Sequence, residues 1–584
     1  MMRMTEVLDF DIVVLGSGIA GMSAAIHASK SQNEKVRIAV ISKLHAMRSH
    51  SIAAEGGISG VLYPGQNDDS YDLHAFDTIK GSDYLADQDA VSILVKNAPK
   101  EIRFFEHLGV PWIREENEEI QFRAFGGMSV KRTAFAADKT GFFMLRALYD
   151  YLTGIENIKI FHEYYITHLL LSEKRFAGLF GINLATGERV LFKAKACIIA
   201  TGGYARVFGF TTTSYSSTGD GIAMAYRAGV PLKDMEFIQF HPTALVPSGI
   251  LITEASRGEG AYLKNVDGER FMKDYAPAKM ELAPRDIVSR AIITEINKGK
   301  GLIQEGSGMK YVNLDLRHLG KDKINFKLPM IREITIKNLG LDPIEEPIPV
   351  RPAAHFTMGG IHTDINGSVM SADSSIPIAG LWAAGECGCV SIHGSNRLGS
   401  NSLSQCAVWG RITGIEAARH ASQHKGQHPV SPNKLVGNAE KDLDRLIAMD
   451  GDESPYSIRE RMQNAMEEHM YVFRTAKGMR QALKEILELK RLSKRIGIED
   501  KGKIFNTNMR DAFEISNLLE LSEVSIRSAI NRKESRGAHA VLEYKERDDR
   551  EWLKHTIATY SKKGPKLSYI PVKITNWKPK PREY

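Results

Sequence analysis

The stretch FDIVVLGSGIAG, residues 10–21, decides how the rest of this chain is read. Residues 10–15 form a short apolar run that predicts a buried strand ending at Gly16. The glycines Gly16, Gly18 and Gly21 follow at the spacing of a dinucleotide fingerprint, and an alanine-rich helix is expected from Ala20 to about Ser29. Gly16 suits the tight turn, Gly18 the approach of a pyrophosphate to the backbone, and Gly21 the close packing of helix on strand. The helix start, with Ser17, Ile19 and Ala20, offers free amides and a positive dipole end to the phosphates. A second strand is expected over residues 36–41. The fingerprint wants an acid at its end for the ribose; Ser42 and Lys43 stand there instead.

Outward from this strand–turn–helix unit, the composition is that of a globular protein. The chain has 584 residues, 43% hydrophobic and 25% charged, with a net charge of +7. That length allows several domains. The positive charge forms no stripe of the kind a nucleic-acid binder carries, so no nucleic-acid partner is expected. The 50 glycines point to loops wrapped closely around a ligand. Four cysteines, Cys197, Cys387, Cys389 and Cys406, contain no C-x-x-C pair, so neither an iron–sulfur cluster nor a structural zinc is expected and no metal site is assigned. Disulfides are not expected either, which suits a reduced compartment. The first strand begins within ten residues, leaving no room for a signal peptide. No apolar run approaches the ~20 residues of a membrane span, so any membrane link is expected through a partner.

The next stretch, KLHAMRSHSIAAEGGISG at residues 43–60, carries a resemblance. It is similar to the flavoproteins of the succinate dehydrogenase/fumarate reductase family, which also place Ser-Lys at 42–43. The resemblance implies FAD, joined covalently to His50 through the flavin's 8α-methyl group. Ser49, Ser51, Ala54, Gly56 and Gly57 match flavin-contacting positions around it. Ser51 stands where the family commonly has threonine. His45 is the rival tether and matches no family position. An imidazole on that methyl withdraws electron density and raises the flavin's potential, which a poor reductant such as succinate requires.

Further segments extend the resemblance. FGGMSVKRTAFAADKTGFFMLRALY at 125–149 looks like the fumarate-reductase branch, with Ala134 replacing a bulky aromatic. ACIIATGG at 196–203 reads as a buried strand ending in a glycine turn. In TGDG at 218–221, Asp220 matches a flavin-contacting aspartate; a plain helix N-cap is the other reading. WAAGECGC at 382–389 supplies Glu386, and Ser402 with Leu403 matches the second flavin-contacting stretch.

Five segments then point to a dicarboxylate. QFHPT supplies His241, LITEASRGEG supplies Thr253, Glu254 and Arg257, PRD supplies Arg285, PAAH supplies His355, and HGSNRLGSNSL supplies Arg397. Each alone reads as a solvated arginine or a structural histidine, but they fall in the family's order. Arginine suits such a ligand because its planar fork meets a carboxylate bidentately. The resemblance assigns His241, Thr253, His355 and Arg397 to substrate, and Arg285 to proton transfer with Glu254 and Arg257 as relay. Simple charge stabilisation by Arg285 is the alternative. Ser256 replaces a cysteine common in relatives.

The expected fold is α/β: a Rossmann-like FAD-binding domain over 1–240 and 353–432, an inserted α+β capping domain at 241–352, a helical domain at 433–540 and an extended C-terminal segment at 541–584. Ile458, Met462, Ala465 and Met466 are expected on one helix face, and Met479, Leu483, Ile486 and Leu487 on another. SRGAH at 535–539 and RDDREW at 547–552 again match the family. Residues 561–584, rich in Lys and Pro, read either as a docking arm or as a solvated tail. The function implied is succinate–fumarate interconversion, with electrons leaving through an iron–sulfur subunit. Membrane anchor subunits are expected through that partner, on the cytoplasmic side of the cell membrane. A soluble L-aspartate oxidase-type enzyme is the alternative, disfavoured by the tether motif.

Overall fold

The computed structural model describes residues 5–32, 35–424 and 433–583. Its centre is a parallel sheet in which Ile158–His162, Ile38–Ser42, Ile12–Leu15, Ala196–Ile199 and Pro377–Ala383 lie side by side. The first strand is shorter than the sequence suggested. The chain bends at residues 10–11, where Asp11 accepts from the Arg37 amide at 2.8 Å and from Lys195 at 2.7 Å. The residues before the bend, Glu6–Asp9, form a separate edge strand beside Arg189–Lys193. The helix after the glycines spans Ile19–Ser31, and the second strand is Ile38–Ser42. Tyr164–Ser172, Arg175–Asn183 and Arg189–Lys193 add an antiparallel meander at the sheet's edge.

Helix Ile19–Ser31 packs in parallel register against Asn401–Gln423. A methyl group at Gly410 would lie 2.7 Å from the Ala20 carbonyl oxygen, and one at Gly414 would lie 2.3 Å from that of Ala24. Only glycine permits this backbone approach.

A second, antiparallel sheet of Ile238–Leu245, Ile348–Thr357, Lys310–Asp315 and Tyr262–Lys264 stands over the carboxyl ends of the parallel strands, with helix Arg285–Glu295 against it. Residues 240/241 and 352/353 fall within Ile238–Leu245 and Ile348–Thr357, which pair with each other, so a two-strand ribbon joins this region to the parallel sheet. Helices Asn433–Ile447, Pro455–His469, Ala476–Leu492 and Thr507–Asn531 follow; the expected boundary at 432/433 borders residues outside the description. Ile458, Met462, Ala465, Met466, Met479 and Ile486 are buried. Leu483 is half-buried and Leu487 is 40% exposed; Ala482 and Leu489 complete the inner face instead.

Part of the C-terminal segment folds back onto a sheet, and residues 572–583 run on in extended form. Lys554–Thr559 and Lys566–Pro571 form a hairpin that extends a sheet containing Leu232–Lys233, Gly360–His362 and Gly388–Cys389. Lys554–Thr559 is paired on both sides, whereas Lys566–Pro571 is the edge of that sheet and pairs on one side only. Among the described residues no helix is long and apolar enough to cross a membrane.

Candidate functional site

One cavity runs from Gly16 to Arg397, at the carboxyl ends of the parallel strands, where open α/β sheets bind ligands. At its inner end Gly16 has φ 118°, and a methyl group on it would lie 2.1 Å from the Ala200 oxygen. Gly21 does not line the cavity; a side chain there would strike the Gly16 oxygen at 2.0 Å, so its role is packing. The helix start has no side-chain cap from Gly18, and the Ile19 amide donates to Ser51 Oγ at 3.2 Å. Ser17, Gly18, Ile19 and Ala20 line the wall. Ser17 Oγ donates to Ser42 Oγ at 2.9 Å, tying the turn to the second strand.

Lys43 is the hub of the next part of the wall. Its Nζ lies 2.6 Å from Asp220, 2.8 Å from Glu514 and 2.7 Å from Thr218 Oγ1. Burial disfavours its charge, but Asp220 and Glu514 outweigh burial and raise its pKa. Asp220 also accepts from Asn517 at 2.9 Å and from Tyr165 at 3.2 Å. The N-cap of helix Asp220–Arg227 is Gly219, so the N-cap reading of Asp220 is corrected: its carboxylate is spent on this network.

Ser49, His50, Ser51, Ala54, Gly56 and Gly57 line the cavity's middle. His50 Nδ1 accepts from the Ser214 amide at 3.2 Å, which leaves Nε2 as the other ring nitrogen. Burial, then the Arg206 charge, push this imidazole down to about 4, so it is neutral, with its lone pair on Nδ1 turned to the Ser214 amide and its proton on Nε2. His45 lies outside the cavity, stacked on His162 with ring centroids 4.4 Å apart. Glu386, Ser402 and Leu403 line the opposite wall. Glu386 Oε1 accepts from the Thr357 amide at 2.9 Å, and burial pushes its carboxyl up to about 7.

The outer end is built from side chains. Arg285, at the first turn of its helix, donates through Nε to Glu254 Oε2 at 2.7 Å and through an Nη to Gln239 at 3.1 Å. Arg257 stands on the other side of Glu254 at 3.7 Å. Burial raises the Glu254 carboxyl, but the Arg285 and Arg257 charges outweigh it and hold the group ionised. Arg257 lies behind Glu254, outside the cavity wall; Nη1 donates to the Glu281 carbonyl at 2.6 Å, and Nη2 faces Glu254 as an ion pair without a hydrogen bond. Burial pushes its guanidinium down. Arg397 donates to Ser402 Oγ at 2.9 Å and stacks over Phe356 at 4.6 Å. Its buried Nε has no partner, and burial followed by the Arg285 charge drives its pKa down.

His241 and His355 face each other with ring centroids 5.0 Å apart. Thr212 Oγ1 lies 2.6 Å from His355 Nδ1, and His241 Nδ1 lies 3.2 Å from the Thr243 carbonyl. Burial, then the Arg285 charge, keep both rings neutral. Thr253 caps helix Glu254–Gly258 by accepting from the Ala255 amide at 3.4 Å. Thus Arg285, Arg397, His241, His355 and Thr253, from five segments, share one end of the cavity.

An elongated dinucleotide fits what is present. The uncapped helix start suits a pyrophosphate, and the buried Thr201 Oγ1, Ser400 Oγ and Arg397 Nε lack partners along the wall. The FAD binding domain family matches residues 11–403, and the family described as fumarate reductase flavoprotein C-term matches residues 459–584. The chain belongs to the fumarate reductase/succinate dehydrogenase flavoprotein family. It is 42% identical to the fumarate reductase flavoprotein subunit of Haemophilus influenzae, over 99% of this chain and 97% of that one. It is also 42% identical to the succinate dehydrogenase flavoprotein subunit of Rickettsia conorii, over 97% and 96%. A solved structure of Escherichia coli quinol fumarate reductase superposes with a TM-score of 0.95 at 41% identity, covering 99% of both chains.

In this flavoprotein subunit, sequence reading missed several residues of the cavity. Gln239 sits in the same QFHPT segment as His241 and joins Arg285 to the Arg397 carbonyl, at 3.1 and 2.7 Å. Thr212 and Ser214 hold His355 and His50 from a loop without a motif. Tyr165 and Asn517 complete the Asp220 network from elements far apart in sequence.

Proposed function

We propose that this flavoprotein subunit interconverts succinate and fumarate, with FAD held covalently through His50 and electrons passed to a separate iron–sulfur subunit. The observation that carries this reading is the Arg285–Glu254–Arg257 chain, placed beside Arg397 in the cavity that begins at the glycine fingerprint. FAD bound along the cavity supplies the hydride acceptor for succinate and the donor for fumarate. The amides at Gly18 and Ala20 would hold the pyrophosphate, with Ile19 tied to Ser51 Oγ, Gly16, Ser17 and Gly21 shaping the turn and Ser42 and Lys43 beside it. Ser49, Ser51, Ala54, Gly56 and Gly57 support one side of the cofactor; Asp220, Glu386, Ser402 and Leu403 support the other. His50 suits the covalent link because its ring is neutral and the Ser214 amide fixes Nδ1, leaving Nε2 to take the bond once it gives up its proton.

Arg397, His241, His355 and Thr253 hold the two carboxylates. Two neutral imidazoles donate hydrogen bonds without adding charge, and buried donors count for more than exposed ones. Arg285 exchanges a proton with the carbon next to the one that exchanges hydride. An isolated guanidinium above about pKa 12 does not do this. Here Glu254 stands between two guanidiniums, so a proton leaving Arg285 is replaced from Arg257 through the carboxylate.

The four cysteines make no cluster site, so electrons need an outside carrier. The same proposal gives the subunit a peripheral place in a membrane-attached complex with anchor subunits, on the cytoplasmic side; the likeness to a quinol fumarate reductase supports the complex. L-aspartate oxidase-type chemistry is less favoured because it leaves His50 without a role.

Acid precipitation tests the link. The washed wild-type pellet is expected to keep flavin fluorescence, whereas His50→Ala releases its flavin to the supernatant and sharply loses succinate-dependent dye reduction. Wild-type protein that releases its flavin overturns the tether; loaded protein that acts on neither dicarboxylate overturns the activity.

A further inference from the structure

Residues 572–583 leave the last hairpin strand and run back over the parallel-sheet domain. The buried side chain of Gln88 catches them. Its Oε1 accepts from the amides of Thr575, Asn576 and Trp577 at 2.9, 2.8 and 3.1 Å, and its Nε2 donates to the Trp577 carbonyl at 2.7 Å. Trp577 packs near Phe76, and Arg547 donates to the Lys580 carbonyl at 3.0 Å. Held this way, Arg582 reaches two carboxylates with a side chain only 10% exposed. Its Nε lies 3.2 Å from Asp83, and an Nη lies 2.7 Å from Asp286.

Asp286 connects this contact to the clamp. It follows Arg285 on the first turn of helix Arg285–Glu295, and its Oδ1 accepts from Asn396 at 3.2 Å, the residue before Arg397. Gln239 donates to Asn396 Oδ1 at 2.8 Å and accepts from Arg285 at 3.1 Å. The side chains of Arg582, Asp286, Asn396, Gln239 and Arg285 therefore form a continuous chain. Asp83, at the other end, belongs to the loop after helix Tyr71–Gly81, on the glycine-fingerprint side of the cavity. Burial raises the Asp286 carboxyl, but Arg582 and Arg290 outweigh it and hold the group at about 2, so the bridge stays ionised.

We propose that Arg582 is a positioning residue for the substrate clamp: by bridging Asp83 to Asp286 it latches the helix carrying Arg285 in register with Arg397. This rests on the reading of Arg285 and Arg397 as substrate-contacting. Both carboxylates keep other partners when Arg582 is removed. Asp286 retains Arg290 and Asn396, and Asp83 retains Arg547 and the Gly537 amide. Loss of the latch thus loosens one helix rather than unfolding the chain.

The test uses the full, flavin-loaded chain carrying Arg582→Gln. Expected are a roughly tenfold fall in kcat/KM in both directions, carried mainly by KM, and faster hydrogen exchange in the first turn of helix Arg285–Glu295. Flavin content is expected to be unchanged and the melting temperature to move by only about 2 °C. Asp286→Asn is expected to act alike, and the double variant to be no worse than the worse single one, because both break one bridge. Unchanged exchange together with unchanged kcat/KM overturns the proposal, as do additive losses in the double variant. Were the wild type inactive on both dicarboxylates, the activity reading would fall separately. The exchange measurement then decides the latch: acceleration upholds it and no change overturns it.

Discussion

The two ends of the cavity are built on opposite plans. The inner end is made of backbone: glycine turns, an uncapped helix start and strand ends, drawn mostly from the first sixty residues. Its charges are paired, with Lys43 between the Asp220 and Glu514 carboxylates. The outer end is made of side chains from five separated segments, and Arg397 Nε is left without a protein partner. Backbone presents donors without side-chain entropy, which suits a bound cofactor such as FAD. Unsatisfied buried guanidinium suits a dianion that must be recognised each turnover, because only that ligand supplies the missing acceptors.

The sharpest way to break this contrast is Arg285→Gln, which should remove the proton group while leaving the inner end intact. Flavin content should be unchanged while kcat falls about 10³-fold or more in both directions, read in dye-linked assays of succinate oxidation and fumarate reduction. Activity near wild type would leave Arg285 only a charge-stabilising role. Lys43→Met attacks the other end. It strands Asp220 and Glu514 in the interior and should lower stability by about 3–5 kcal/mol, seen as a lower urea midpoint. Adding Asp220→Asn should recover part of that loss; if the single variant is as stable as wild type, the inner end does not depend on this charge balance.

The smallest effect concerns a buried charge outside both ends. His555 lies 2.7 Å from Asp234 and 3.2 Å from Asp87, beside Gln88 in sequence. Burial lowers its pKa, but the two carboxylates raise it to about 9; Lys233 and His362 also face it. A folded value raised above the ordinary 6.5 gives stability that is whole below pH 6.5 and disappears as pH climbs through about 9. The loss should be at most about 3 kcal/mol, and His555→Gln should flatten the profile of urea midpoint against pH over that window.

The same contrast explains what could be read from the sequence. The inner end was legible because glycine spacing and a strand–helix change are local signals. Even there, Glu514 and Asn517 were invisible, since nothing in helix Thr507–Asn531 marks its meeting with Lys43. At the outer end, no arginine or histidine announced itself; only family order grouped them, and Gln239 escaped despite its place in QFHPT. Leu487 was misread because a position next to Ile486 lies about 100° around the helix, enough to reach solvent. The extended tail was legible but its path was not, because Lys and Pro content reports solvation, whereas the buried Gln88 side chain holds residues 575–577 in place.

The glycine contacts between helices Ile19–Ser31 and Asn401–Gln423 set a gauge length. The helices run the same way, with Ala20 beside Gly410 and Ala24 beside Gly414. The stretch from Asn401 to Gly410, less the one residue from Ile19 to Ala20, carries the second helix start roughly 12 Å ahead of the first at about 1.5 Å per residue. Two positive helix ends therefore face the same cavity at a spacing fixed by touching backbones. Bulk at Gly410 or Gly414 would force the pair apart and change that spacing, so these glycines act as the stop on a calliper whose jaws are the two helix starts.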